Sequence, residues 1–240
     1  MKVDAFIPCF IDQLYPETGL NFIKILEEAG CTVNYNPEQT CCGQPSFNSG
    51  YWKETKTLAV KFLNDFQHAE KIVSPSASCT GFIKNYYKQL FKDDLKTLEE
   101  VSQLTPRIFE FSDFLVNHLG KTDFGSVFNY KITFHDACAA LREYGVKDEP
   151  RILLSKVKGL ELLEMKETNT CCGFGGTFAA KFHSISTAMT EQKVEHALVT
   201  GAEYIVSTEA SCLMNIQAYI AKQKLPVKTI HLVDVLAAGI

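Results

Sequence analysis

The chain has 240 residues, enough for one large domain or two small lobes that each bury a core. Its composition, 46% hydrophobic and 22% charged, is that of an ordinary globular protein and argues against a disordered or fibrous chain. A formal net charge of −4 without any Lys/Arg block excludes a dedicated nucleic-acid binder, and no apolar run approaches the roughly 20 residues that span a bilayer.

Read in order, Lys2–Ile7 is a short strand that runs into a loop at Pro8-Cys9. Leu20, Ile23, Leu26 and Ala29 recur at helical spacing over Glu17–Ala29, and Gly30 supplies the stop. Cys31–Tyr35 is a second strand, broken by Asn36-Pro37 just before Cys41-Cys42-Gly43. A long amphipathic helix follows over Trp52–Ala69, then a strand at Lys71–Val73 that closes at Ser74…Cys79, and a helix through Ile83, Tyr87 and Leu90. Asp93–Thr105 is charged and shows no clear period. A strand at Arg107–Phe109 leads to a helix over Ser112–Leu119.

The second half repeats this order. Lys131–Phe134 is the strand before His135-Asp136-Ala137-Cys138, Arg151–Val157 is helical, and Leu160–Leu163 is the second strand. After Cys171-Cys172-Gly173 comes a long helix from about Ser184 to Val199. Tyr204–Ser207 is the third strand, ending near Cys212. The tails match as well, Asp113-Phe114-Leu115 paralleling Asp234-Val235-Leu236. The chain therefore reads as two lobes, residues 1–120 and 121–240, divided in the turn-rich stretch around Gly120–Asn129. Strands that alternate with helices make it an α/β protein: two duplicated lobes, each a small parallel sheet flanked by helices, related by pseudo-two-fold symmetry.

Eight of the nine cysteines follow the duplication: Cys9, Cys41, Cys42 and Cys79 in the first lobe, Cys138, Cys171, Cys172 and Cys212 in the second. Ligands of a parallel sheet bind beyond the carboxyl ends of its strands, and each of these cysteines follows a predicted strand. Four thiols scattered along each half are thus expected at one edge. The first residues, Met1-Lys2-Val3-Asp4-Ala5-Phe6, lack the apolar stretch and cleavage site of a signal peptide, so the expected location is cytoplasmic. In that reducing compartment the cysteines read as metal ligands or redox groups before disulfides. Four thiolates suit Zn²⁺ or an iron–sulfur cluster. Structural zinc usually draws its ligands in close Cys-x₂₋₄-Cys pairs, which neither half has, so the cluster is preferred and zinc is the alternative. A metal-free enzyme cycling its Cys-Cys pairs between dithiol and disulfide is a further alternative.

The doubled arrangement, a cysteine, then Cys-Cys-Gly, then another cysteine, resembles the cysteine-rich CCG domain family over essentially the whole chain. That family includes the cysteine-rich component of heterodisulfide reductase and the iron–sulfur subunits of glycolate oxidase. Where the former carries a further cysteine, this chain has Ser76 and Glu209; where the latter carry a ferredoxin segment of Cys-x₂-Cys-x₂-Cys runs, it has none. The resemblance is nearest to the lactate-utilization branch. It implies an iron–sulfur electron-transfer subunit, with one cluster (4Fe-4S) per lobe. Its partners would be a ferredoxin-like iron–sulfur subunit and a third subunit of a complex that oxidises L-lactate to pyruvate. No catalytic acid, base or nucleophile is expected in this chain itself.

Gly43 and Gly173 are expected to let the backbone pass close to a bulky inorganic group. His135 precedes Cys138 and has two readings, a hydrogen-bond donor or proton carrier beside a cluster sulfur, or a strand-end turn residue. Cys31, without a counterpart, is read as a buried structural thiol. Glu209 is read as a solvated loop acid rather than an oxygen ligand. Gly173-Phe174-Gly175-Gly176 superficially resembles a dinucleotide loop but has Phe178 where the last glycine belongs, so nucleotide binding is rejected. His68, His118, His196 and His231 are taken as surface or packing residues.

Overall fold

A computed structural model describes residues 1–240. In the first half, β1 (Lys2–Ala5) is followed by α1 (Cys9–Leu14) and α2 (Pro16–Glu28), then by β2 (Thr32–Tyr35), α3 (Gln44–Asn48) and α4 (Trp52–Phe66). Next come β3 (Ile72–Ser74), α5 (Ala77–Leu90), α6 (Leu95–Leu104), β4 (Ile108–Glu110) and α7 (Phe111–Asp113), the last continuing as a π-helix to Leu119. The second half begins with β5 (Lys131–Phe134), a π-helical turn over Ala140–Tyr144, α8 (Glu149–Leu154) and β6 (Glu161–Leu162). It ends with α9 (Thr177–Lys181), α10 (His183–Val199), β7 (Tyr204–Ser207), α11 (Ala210–Gln223), β8 (Lys228–His231) and α12 (Leu232–Ala237).

The strands form two sheets of four, in the orders β2-β1-β3-β4 and β6-β5-β7-β8, and every pairing is parallel. Strands β1 to β7 and the helices α2, α4, α5, α8 and α10 lie where the sequence places them, to within a few residues; β8, α11 and α12 lie in stretches to which the sequence pattern assigned no range. Four helices form where none was expected. The segment Asp93–Thr105 forms α6, capped by the Asp94 carboxylate, which accepts from the Thr97 N–H at 3.2 Å, with Val101 and Leu104 buried. The short helices α1, α3 and α9 occupy stretches expected to be loop.

The two sheets share one core. A cluster of 26 buried residues runs from Val3, Phe22 and Phe111 of the first half to Phe134, Leu154 and Leu232 of the second. The helices that close it do so reciprocally: α2 packs on α12, and α7 packs on α8. Asp234 of α12 accepts from Thr18 Oγ1 at 2.7 Å and from Asn21 Nδ2 at 2.9 Å, both on α2. Its counterpart Asp113 accepts from the Tyr144 hydroxyl at 2.6 Å. A second reciprocal pair sits closer to the cysteines, with α1 against α11 and the turn Ala140–Tyr144 against α5. This crossing carries the segment after each lobe's first strand onto the helix after the other lobe's third strand. His231, taken as a packing residue, caps α12 from a buried position, its Nδ1 accepting from the Val233 N–H at 3.2 Å.

Candidate metal centres

The four cysteines of each lobe arrive from three strand ends. Cys9 opens α1 after β1, Cys41 and Cys42 lie in the loop after β2, and Cys79 stands in the first turn of α5 after β3. Cys138, Cys171, Cys172 and Cys212 repeat this after β5, β6 and β7. In each set the second residue of the Cys-Cys pair and the last cysteine are buried, while the other two are half-buried. Cys42 Sγ and Cys79 Sγ are 3.3 Å apart, and all nine thiols are free. Cys31 is buried in the shared core, away from both sets.

Both glycines of the Cys-Cys-Gly motifs have positive φ, +91° at Gly43 and +87° at Gly173. In that conformation the Gly43 N–H donates to Cys41 Sγ and the Gly173 N–H to Cys171 Sγ, each at 3.4 Å. A side chain at either glycine would also crowd the helix that follows. A Cβ on Gly43 would stand 3.1 Å from Thr55 Cγ2 of α4, and one on Gly173 would stand 2.4 Å from the Ser186 carbonyl of α10. The close neighbour is the following helix. The loops are also held by their carbonyls: Cys42 C=O accepts from Tyr87 Oη at 2.8 Å, and Cys172 C=O accepts from Thr190 Oγ1 at 2.8 Å and Asn215 Nδ2 at 3.0 Å.

Crowding splits the thiols electrostatically in both lobes, and in the second Cys212 is also lowered, to about 6, foremost by its hydrogen bond with Cys172 and further by His135. Hydrogen bonds from the Cys42 and Cys9 thiols and the Gly43 N–H hold Cys41 far below the usual thiol range; the Cys138 and Cys172 thiols and the Gly173 N–H do the same for Cys171. Cys9 and Cys42 are pushed up, foremost by hydrogen bonding to Cys41 and then by burial, and Cys138 and Cys172 behave alike beside Cys171. Cys9 and Cys42, like Cys138 and Cys172, resist ionisation because their negative charge would sit against a thiolate already present. A cationic guest removes that obstacle, so four convergent thiols of this kind fit a metal or an iron–sulfur cluster chemically.

Both sets line one cavity of about 690 Å³. Its walls are largely apolar, and at one side Phe10 and Phe174, from opposite lobes, meet edge to face at 5.6 Å. His135 is fully buried, and its ring nitrogen, Cys172 Sγ and Cys212 Sγ lie within 4.8 Å of one another. His135 thus lies within reach of two of the thiols. Its neighbour Asp136 is paired to Arg151 through two hydrogen bonds, 2.8 and 3.0 Å.

Glu209 is not a solvated loop acid. It is buried at the cavity where the lobes meet, its two oxygens accepting from Ser76 Oγ at 2.8 Å and from the Ser78 N–H at 2.7 Å. Burial raises its carboxyl to about 8. Ser76 and Glu209 occupy equivalent positions, each the residue before the helix that carries the last cysteine. Lys193 was likewise not singled out by sequence. It is wholly buried on α10 and donates to the Glu167 carbonyl at 2.6 Å and the Thr168 carbonyl at 3.1 Å. A lysine in register with Thr190, Val194 and Ala197 on the buried face was the available signal.

Two parallel sheets, each presenting four thiols from three strand ends, define a duplicated cysteine-rich domain protein. The model of the cysteine-rich CCG domain matches residues 3–84 and again 132–217. Lactate utilization protein A 2 of Bacillus cereus (strain AH820) is 40% identical over 240 residues, covering 100% of this chain and 99% of that one. Lactate utilization protein A 1 of Bacillus mycoides (strain KBAB4) is 41% identical over 236 residues, covering 98% and 96%. A crystal structure of a hypothetical protein from Helicobacter pylori shares the fold with a TM-score of 0.64 at 12% identity; this chain spans about half of its length, 49%. The chain belongs to the lactate utilization protein A family. No helix is long and apolar enough to cross a membrane.

Proposed function

We propose that this chain is the cysteine-rich electron-transfer subunit of a cytoplasmic system that oxidises L-lactate to pyruvate. In this reading residues 1–120 and 121–240 are two domains. Cys9, Cys41, Cys42 and Cys79 hold one iron–sulfur cluster, and Cys138, Cys171, Cys172 and Cys212 hold a second. Bound there, such a cluster supplies one-electron chemistry. A ferredoxin-like iron–sulfur subunit and a third subunit would supply and receive the electrons, a role taken from the family resemblance; the lactate-utilization setting is taken from the name of the relatives. The observation that carries the reading is the convergence of eight free thiols, in two like sets, on a single cavity.

The chain's own residues have definable parts. The Gly43 and Gly173 N–H groups turn toward the sulfurs of Cys41 and Cys171 and favour their ionised forms. Apolar and aromatic walls limit water around the sulfurs, which strengthens every such interaction. The test is anaerobic purification followed by iron, sulfide and zinc analysis with a visible spectrum. Matching iron and sulfide is expected, halved in Cys42→Ser and in Cys172→Ser and absent in the double variant. Colourless protein with bound zinc would replace this reading by a zinc-held structural role. Protein that takes up no metal at all would replace it by a dithiol–disulfide enzyme.

A further inference from the structure

The two cysteine sets are alike in their sulfurs but not in what stands behind them. The His135 N–H donates to the Val206 carbonyl at 2.8 Å, as the Phe6 N–H donates to the Val73 carbonyl at 2.9 Å, so the two residues occupy equivalent positions just past the first strand of each lobe. In the first lobe Phe6 packs against Phe62 and Phe66, with ring centroids 4.9 and 5.8 Å away. In the second, both ring nitrogens of fully buried His135 lack any hydrogen-bond partner, and the ring faces Cys172 and Cys212. An unpartnered buried imidazole is costly unless something at the site completes it.

Lys193 is a second, independent asymmetry. Its ammonium is buried beneath the segment that leads into Cys171; burial lowers it to about 8, and the Cys172 thiol draws it back up. The acids nearby are engaged or exposed: Asp136 is paired to Arg151, Glu209 accepts from Ser76 Oγ and the Ser78 N–H, and Glu167 is exposed to solvent.

We infer that the two centres are chemically unequal: His135 donates a ring N–H to the sulfur of Cys212, Lys193 sets a positive charge behind Cys172, and the centre of the second lobe is therefore the more easily reduced. This rests on the iron–sulfur reading above. Reduction adds one negative charge to a centre without changing its ligands, and hydrogen bonds to the sulfurs together with nearby positive charge favour the reduced form. Electrons entering this chain settle on the second lobe, and the first lobe is the station they pass.

The test uses anaerobically loaded full-length protein in two backgrounds, Cys42→Ser to observe the second-lobe centre and Cys172→Ser to observe the first, each titrated reductively and followed by electron paramagnetic resonance. The second-lobe centre is expected to be at least tenfold more reduced at a common potential, which is about 59 mV for one electron. His135→Phe, which copies the first lobe, removes most of that difference with iron content unchanged, and His135→Gln, which keeps a donor, restores part of it. Lys193→Met, measured separately, shifts the same centre in the same direction. Equal or reversed potentials overturn the inference, as does a fully loaded His135→Phe protein whose potential is unchanged. A folded His135→Phe protein that loses half its iron would make His135 a ligand and overturn its assignment as a donor. Wild-type protein without iron or sulfide overturns the iron–sulfur reading itself, and the metal analysis separates that failure from the others.

Discussion

Glu209→Ala removes the one acceptor that two groups of the other lobe share. Ser76 Oγ and the Ser78 N–H lie 2.8 and 2.7 Å from its oxygens, and Ser76 and Glu209 are 3% and 4% exposed, so water does not readily replace it. An orphaned buried donor costs about 1–3 kcal/mol. Taking the lower half of that range for each, because the Ser76 hydroxyl keeps the Ser78 hydroxyl as an alternative acceptor at 3.4 Å, the loss is about 3 kcal/mol at a pH where the carboxyl is protonated in both the folded and unfolded chain. That is a large share of the roughly 5–15 kcal/mol that holds a typical domain folded. Glu209→Gln keeps an acceptor oxygen and matches the neutral carboxyl, so it is expected within about 1 kcal/mol of wild type at pH 4, where the carboxyl is largely protonated in both states. Wild type also separates from both variants in pH dependence. With a folded pKa of about 8 against an ordinary 4.5, the fold favours the protonated carboxyl. Its contribution is complete below about 4.5 and is lost as pH rises through about 8, a span on the order of 5 kcal/mol. Urea unfolding of the reduced, metal-free protein at pH 4 and pH 9 reads both effects. Wild type should lose stability between the two through this group, and Glu209→Gln and Glu209→Ala, which carry no carboxyl there, should lose clearly less. A Glu209→Ala protein within about 0.5 kcal/mol of wild type at pH 4 would refute the reasoning.

Two further substitutions probe the supports of the cysteine loops. Gly173→Ala places a Cβ 2.4 Å from the Ser186 carbonyl at a φ of +87°, whereas Gly43→Ala meets only the Thr55 methyl at 3.1 Å. The first should cost about 3 kcal/mol or more and the second about 1–2 kcal/mol in urea midpoints, and equal costs would contradict the close approach to α10. Arg151→Ala leaves the Asp136 carboxylate, 4% exposed, without its partner. A loss of about 3–5 kcal/mol is expected, largely recovered by adding Asp136→Asn, and failure of that recovery would show that the lost packing of Arg151 on Phe134 matters more than the charge.

Seven strands were legible as short runs punctuated by Gly, Pro or a polar cluster, and the helices α2, α4, α5 and α10 because their apolar residues recur at helical spacing; β8 and α11 were not placed. Periodicity failed where a helix is too short to show it. Helices α1, α3 and α9 span five or six residues each, next to the cysteine loops. In α6 the charges of Lys96, Glu99 and Glu100 obscured the spacing of Leu98, Val101 and Leu104. The cysteine sets were legible from the duplication itself, since spacing and strand order together bring them to one edge. Their meeting in one cavity was not, because it depends on α1 lying against α11 and the Ala140–Tyr144 turn against α5, contacts between halves far apart in sequence. Glu209 was misread for that reason. The group that buries it, Ser76, lies 133 residues away, and no local pattern marks an acid covered by another lobe.

The meeting of Ser76 with Glu209 also says something about the value of carrying both lobes on one chain. A two-fold assembly of identical halves must put the same residue on both sides of its axis. A pair built from the second half alone would bury two Glu209 carboxyls against each other. One built from the first half alone would face Ser76 with Ser76 and offer no strong acceptor. Donor and acceptor can meet at that point only because the two sides are spelled separately, and the same freedom allows Phe6 on one side and His135 on the other.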